Sequence, residues 1–395
     1  MNTPLRFAVI GAGRGSSFVH SAGTLAEEVQ LVAICDINPR MLDPWRDNPE
    51  LRLYESYEQV LNDPNIDAVC IATPVPLHAR QAIQALNAGK HVLSEVTAIY
   101  NSVEEGWELI EAVERTGLTY MMAENYCYIR ENMMLENMIE QGVFGEITYA
   151  SGSYLHDCRD LMWHGDGQLT WRGQLRQSVY GNSYPTHSLG PVSRWLGINR
   201  TDRYVTTATW GSLCRAIPAY VARNDKPEKR LASPNAWHSN DGAVTMLKTE
   251  KGVIAEVRVD WASPRPHNMA RHELQGTTAS YTTQEPGREA LIWIEGRSET
   301  SPTGIAGHWD PISKYYEEFE HPLWKAHFED AQRAGHGGGD YFTLREFAAA
   351  VREGRPPMVD VYDAVTWSSI TPLSMISIDN NNNAVEVPDF KAGRR

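Results

Sequence analysis

A phenol and an imidazole three residues apart, Tyr184 and His187, stand in the stretch NSYPTHSLGPVSRW at residues 182–195. Such a pair can pass a proton near neutral pH, the more so beside the electropositive start of a helix. The stretch reads as that start: Asn182 or Ser183 can cap free amides, Pro185 suits a first-turn position, and Leu189, Val192 and Leu196 recur at helical spacing. A single histidine in a helix is also a common structural element, so the rest of the chain has to weigh in.

The elements ahead of this helix describe a nucleotide site. An apolar strand, Phe7 to Ile10, runs into Gly11, Gly13 and Gly15 and then an amphipathic helix. Bare glycines let a backbone turn sharply and approach a pyrophosphate, whose charge sits on the helix start. The G-x-G-x-G spacing departs from the usual fingerprint. Roughly 20 residues on, the strand QLVAICD ends at Asp36, where a carboxylate can bond a ribose 2′-hydroxyl and repel a 2′-phosphate, so NAD is expected over NADP. Alternation continues with AVCIAT, a helix from Leu77 to Lys90, HVLSEV, a helix from Ser102 to Gly117, and TYMMAE. Repeated βα units specify a doubly wound parallel sheet with ligands at the carboxyl ends of its strands. Thr73, His78, Glu95 and Glu124 fall at or just beyond those ends.

After Glu124 the pattern changes. A helix, ENMMLENMIEQGVFG, leads to the strand EITYASGSYL and then to RYVTTATW, GAVTMLKT, GVIAEVRVDWAS, ARHELQG and EALIWIEG, all with alternating side chains. The expected fold is α/β: residues 1–124 as a Rossmann NAD-binding domain, and residues 125–395 as an α+β domain on an open, mostly antiparallel sheet for substrate binding and oligomerisation. Residues 216–240, rich in Pro, Asn, Lys and Arg, read as a long excursion between strands, REFAAAVREGRPP as a helix with a proline stop, and Asn380 to Asn383 as an exposed polar loop.

Composition narrows the function. With 395 residues, a formal charge of −14 and Arg and Lys scattered singly, the chain offers nucleic acid no basic stripe. No apolar run approaches the ~20 residues of a membrane span, and the opening MNTPLRFAVIG runs straight into a strand rather than an export signal. The five cysteines, Cys35, Cys70, Cys127, Cys158 and Cys214, show no C-x-x-C spacing, which fits a reduced cytoplasmic interior. His336 and Asp340 flank a glycine run, yet two potential ligands do not make a metal site.

A dinucleotide half followed by an open-faced sheet half resembles the glucose-fructose oxidoreductase and inositol dehydrogenase superfamily. Sugar dehydrogenases of that superfamily usually carry Glu-Lys-Pro after the fifth strand and an Asp shortly before the helical His. Here the corresponding residues are Glu95-Val96-Thr97, and Ser183 or Tyr184. Those departures resemble the NAD-dependent glycoside hydrolases of family 109, best known for α-N-acetylgalactosaminidase activity. The matching pieces, in order, are MMAENYCYIRE, QGVFGEI, GSYLHDCR, GNSYPTHSLGPV with INRTDR, ASPRP, EHPLWK, GHGGGDYF, VYDAVTWS and VEVPDF. Thr97 replaces a proline and Ser188 a glycine of the family pattern.

The chemistry that this resemblance implies is hydrolysis without net redox. Loss of hydride from C3 to NAD makes the C2 proton acidic, the glycosidic oxygen leaves C1, water adds, and re-reduction restores C3. On this basis His187 or Tyr184 would take the C3 hydroxyl proton and Tyr154 the C2 proton, while Glu124 and His156 would serve the leaving group and water or orient the sugar. The implied cofactor contacts are Gly11, Gly13, Arg14, Gly15, Asp36, Thr73, His78, Glu95 and Asn125, with Trp171 and Arg172 as a further pair near the cofactor. Arg265 and Tyr341 would reach the sugar. The expected partner is a small carbohydrate or glycoside, with a homo-oligomer formed through the open sheet. A net NAD-dependent sugar dehydrogenase making 3-keto sugars is the rival expectation, and an inactive NAD-binding sensor a more distant one.

Overall fold

The computed structural model describes residues 3–225, 228–266, 268–300 and 307–393. Two compact units emerge. The first comprises Met1–Arg130, Pro322–Ser369 and Phe390–Arg395, and the second Glu131–His321 and Ile370–Asp389. The units are therefore not two consecutive stretches.

In the first unit six strands, β1 (Leu5–Ile10), β2 (Val29–Cys35), β3 (Arg52–Tyr54), β4 (Ala68–Ile71), β5 (His91–Ser94) and β6 (Tyr120–Met122), form an all-parallel sheet in the order β3-β2-β1-β4-β5-β6. The strand order reverses between β1 and β4, which is where such sheets bind dinucleotides. Runs such as Phe7-Ala8-Val9-Ile10 and Ala68-Val69-Cys70-Ile71 are buried along their whole length, as parallel strands covered on both faces must be. The chain returns to this unit with the helix Gly339–Glu353, whose Phe347 packs 6.3 Å from Phe7 and which lies along the helix Ala12–Thr24. The sequence marks that helix from Arg345; it begins two turns earlier, at the glycine run.

The second unit is built on nine strands: β7 (Ile147–Leu155), β8 (Tyr204–Gly211), β9 (Gly242–Thr249), β10 (Ile254–Asp260), β11 (Asn268–Gly276), β12 (Ala279–Thr282), β13 (Leu291–Ile294), β14 (Asp310–Pro311) and β15 (Val385–Glu386). Their order is β14-β13-β12-β11-β7-β10-β9-β8-β15, antiparallel except for a parallel β7–β10 pair at the centre. The α/β class with a second, mostly antiparallel sheet is thus the observed fold.

Two local expectations gain detail. The excursion at 216–240 does run between two strands, β8 and β9, and carries structure of its own: the helix Ala216–Arg223 and short turns at Lys229–Ala232 and Pro234–Ala236 fold over a cluster of Met162, Ile217, Val221, Leu231 and Trp237. Their apolar residues, sparse in sequence, converge only when folded. The four asparagines from Asn380 form a tight turn, with Asn381 and Asn382 at φ of 55° and 63° and the Asn382 amide donating to the Thr209 carbonyl at 2.7 Å. Asparagine tolerates that left-handed backbone better than most side chains.

Candidate active site: a dinucleotide loop and a cluster of rings

The glycine loop of the first unit is fixed by close backbone packing. Gly11 sits at φ +93°, and a Cβ there would lie 2.6 Å from the Ala72 carbonyl oxygen. At Gly15 a Cβ would fall 2.4 Å from the Val9 side chain. Gly13 differs, since a Cβ there would meet only Met41 at an ordinary 3.7 Å. The fold does not require Gly13 to be bare, so its missing side chain is available to a ligand. Asp36 ties the loop to β2 by accepting from the Ala12 amide at 2.8 Å and from the Asn38 amide at 2.8 Å. A carboxylate has further lone pairs, so hydroxyls can still bond to it.

Behind the loop lies a chain of charges. The Arg14 guanidinium pairs with Glu95 at 2.8 Å and stands 3.9 Å from Asp340. Asp340 in turn accepts from the Asn125 amide at 2.8 Å and meets His336 Nδ1 at 2.9 Å. Burial alone would raise the Asp340 pKa, but His336, Asn125 and Arg14 together hold it below the usual value. Gly339 permits this arrangement, because a Cβ there would come 2.4 Å from the Asn125 carbonyl oxygen. His78 is turned inward, its Nδ1 2.9 Å from the Thr97 carbonyl and its Nε2 2.7 Å from that of Thr73. It positions the Thr73 backbone. Burial lowers its pKa against the opposing pull of those carbonyls. Glu124 is fully buried and accepts from the Tyr126 amide at 3.2 Å, while Tyr341 is also buried, its hydroxyl 3.3 Å from His327 Nδ1.

These residues fit a dinucleotide. Apart from Asp36 at the Ala12 amide, the helix Ala12–Thr24 starts with no side-chain cap and no acidic residue in its first turn, which leaves its next amides for an anion. The buried Asn125 Oδ1 has no hydrogen-bond partner among the described residues and can accept from an amide. Gly11, Gly13 and Arg14 would hold the pyrophosphate and Asp36 the ribose.

In the second unit the sequence-nominated rings come together. Tyr154 and His156 come from the end of β7, while Tyr184 and His187 come from the segment entering the helix Thr186–Trp195. The Tyr154 ring centroid lies 5.0 Å from His187, 5.6 Å from Tyr184 and 5.6 Å from His156. Tyr184 meets His187 edge-on at 5.2 Å and Trp261 at 5.2 Å. The Tyr154 hydroxyl is 2.9 Å from His156 Nδ1, which Cys158 Sγ approaches to 3.1 Å. Burial pushes the Cys158 thiol up to about 12, so it stays protonated. The Arg176 guanidinium lies 4.1 Å over the Trp261 ring.

The expected helix cap is corrected here. The helix begins at Thr186 without a side-chain cap, and Pro185 precedes it. Instead the Asn182 amide donates to Thr245 Oγ1 at 3.0 Å and to the Val257 carbonyl at 3.4 Å, anchoring the segment to the sheet. Trp171 and Arg172 open the short helix Trp171–Leu175, the guanidinium 4.3 Å over the indole. Arg265 follows β10, its Nε buried and without a hydrogen-bond partner among the described residues. Sequence reasoning weighed Asp340 only as a potential metal ligand and gave no site role to Cys158 or Arg176. The glycine run before Asp340 was the available signal for a close approach, whereas nothing local marks the other two.

Fold and loop together define an NAD-binding protein of the Gfo/Idh/MocA kind. Residues 5–124 match the model of the oxidoreductase family, NAD-binding Rossmann fold, and residues 128–395 that of the glycosyl hydrolase 109 C-terminal domain. A family 109 protein of Stenotrophomonas maltophilia is 32% identical, with 98% of this chain and 89% of the relative covered. An α-N-acetylgalactosaminidase of Shewanella oneidensis is 36% identical, with 98% and 85% covered. The chain belongs to glycosyl hydrolase family 109. Among solved structures, levoglucosan dehydrogenase in complex with NADH and L-sorbose shares the fold with a TM-score of 0.76 at 20% identity, covering 98% of this chain and 100% of that one.

Proposed function

We propose that this protein is a glycosidase that cleaves its substrate through a transient ketone at C3, using NAD without consuming it. The observation that carries the reading is the gathering of Tyr154, His156, Tyr184 and His187 into one set of touching rings. NAD, when bound, supplies a reversible oxidant for C3. The chain's own residues then have only protons to move.

His187, with Tyr184 against it, accepts the C3 hydroxyl proton and later returns it. Tyr154 is the base at C2. A phenol must lose its own proton to act so, and His156 Nδ1 at 2.9 Å is the group positioned to take it. Glu124 serves the leaving group and the incoming water. Arg265, with its unpartnered buried Nε, is a donor for a sugar hydroxyl. The familiar pair of carboxylates flanking a glycosidic bond is not required by this route. The α-N-acetylgalactosaminidase relative makes N-acetylgalactosaminides the first substrates to try.

The dehydrogenase-like neighbours favour a second reading, net oxidation to a 3-keto sugar. Against it, buried Val96 and Thr97 occupy the positions where superfamily dehydrogenases carry the relay lysine and the proline after it, and Ser183 or Tyr184 that of the Asp. A panel of aryl glycosides in heavy water separates the two. Hydrolysis releases reducing sugar, takes up deuterium at C2 and builds up no NADH. Stoichiometric NADH with no aglycone released would reverse the assignment. Two further parts of the proposal are a reducing cytoplasmic home, consistent with five buried cysteines, none of them in a disulfide, and self-association through the second sheet, whose β8 leaves Trp210 half exposed.

A further inference from the structure

The helix that carries His187 contains a proline, Pro191. In an α-helix the amide of residue 191 would bond the carbonyl of residue 187, and proline has no such amide. A buried carbonyl left alone is costly, so a substitute donor is expected. His272 of β11 is placed to be that donor: it is buried, its ring lies against Trp195 of the same helix, its strand partner Gly152 abuts the Ser188 carbonyl, and the His187 backbone pulls against the fall in its pKa.

We propose that His272 is a positioning residue for His187, its ring N–H standing in for the missing amide. His272 Nε2 has no hydrogen-bond partner among the described residues, which leaves Nδ1 to take the donor role in this proposal. Burial lowers the His272 pKa to about 4, so the ring is neutral and carries the single proton that the bond needs. Trp195, one turn further along the helix than Pro191, meets His272 edge-on at 5.4 Å and fixes the plane of its ring. The register explains the closeness. His272 pairs with Gly152 of β7, and a Cβ at Gly152 would lie 2.2 Å from the Ser188 carbonyl oxygen. A bare strand residue lets the helix settle on the sheet, and its neighbour supplies the donor. The His187 ring is then held against Tyr154 and Tyr184.

Restoring the amide makes the test. His272→Leu should lower kcat about tenfold with KM changed less than ~2-fold, as expected for a carbonyl left unpaired next to a group acting in the transition state. His272→Gln keeps a donor and should stay within ~3-fold of the parent. Pro191→Ala in the His272→Leu background returns the backbone amide and should recover most of the loss. Should His272→Leu fail to fold alone, recovery of folding by Pro191→Ala supports the proposal and its failure overturns it. An unchanged kcat in His272→Leu, or a folded double variant no better than His272→Leu, also overturns it. Turnover as a readout rests on the glycosidase reading, so a second readout does not: the carbon NMR signal of the His187 ring, assigned with His187→Gln. It should shift in His272→Leu and return in the double variant. A parent that cleaves no glycoside while these shifts occur refutes the glycosidase reading and leaves the positioning role standing.

Discussion

The loop of the first unit and the rings of the second are made of different materials. Around Gly11 the site is backbone: a left-handed turn, a helix start and one carboxylate, joined by short polar bonds. Around His187 it is side chain: four rings from two distant segments, backed by Trp261 and held by contacts of 5.0–5.6 Å. A backbone site tolerates little change within a few consecutive residues. A ring site depends on whatever sets the helix against the sheet.

That contrast is most exposed at the reacting groups. His187→Ala and Tyr154→Phe should each cut glycoside turnover by roughly 10²–10⁴-fold, the range for a lost general acid or base, while NAD affinity by calorimetry stays as in the parent. A loss of NAD binding in either variant would show that the two regions do not divide the work as proposed.

Two glycines come next. Gly11→Ala and Gly152→Ala each force a Cβ against backbone, and each should cost about 3 kcal/mol in a urea melt. Their signatures should differ. At residual folded concentration Gly11→Ala loses NAD affinity, whereas Gly152→Ala keeps it and loses turnover.

Acid should separate the regions by window. His272 has a folded pKa of about 4 against an ordinary 6.5, so the unfolded chain binds its proton first and stability falls as pH drops through that interval. By pH 5 the loss is roughly 2 kcal/mol, and His272→Gln should flatten that slope. Asp340 is held below its ordinary 3.8, so its contribution persists above that value and disappears only as pH falls through the lower, folded one. A melt series from pH 7 to pH 3 checks both. The smallest effect is expected at Asp36, where Asp36→Ser should erode the preference for NAD over NADP by about tenfold in paired binding titrations.

How much of this was legible beforehand follows from the same contrast. Gly11, Gly13, Gly15 and Asp36 announce a nucleotide loop because the physics that requires them is local. The alternating strands gave the second sheet, but not its central parallel pair, since register between β7 and β10 depends on a long connection that periodicity does not describe. His187 could be nominated, yet its cap was misassigned because Asn182 finds a better partner across the sheet than at the helix end.

Local rules thus determined the class of fold, the dinucleotide loop and the types of the candidate reacting side chains. Only the tertiary structure decided that Tyr154 faces His156, that Asp340 reaches Asn125 from 215 residues away, and that His272 of β11 lies against Trp195 of the helix carrying His187. Turns and helix starts are written within a few residues, whereas a contact between distant segments exists only once the packed core has fixed their separation.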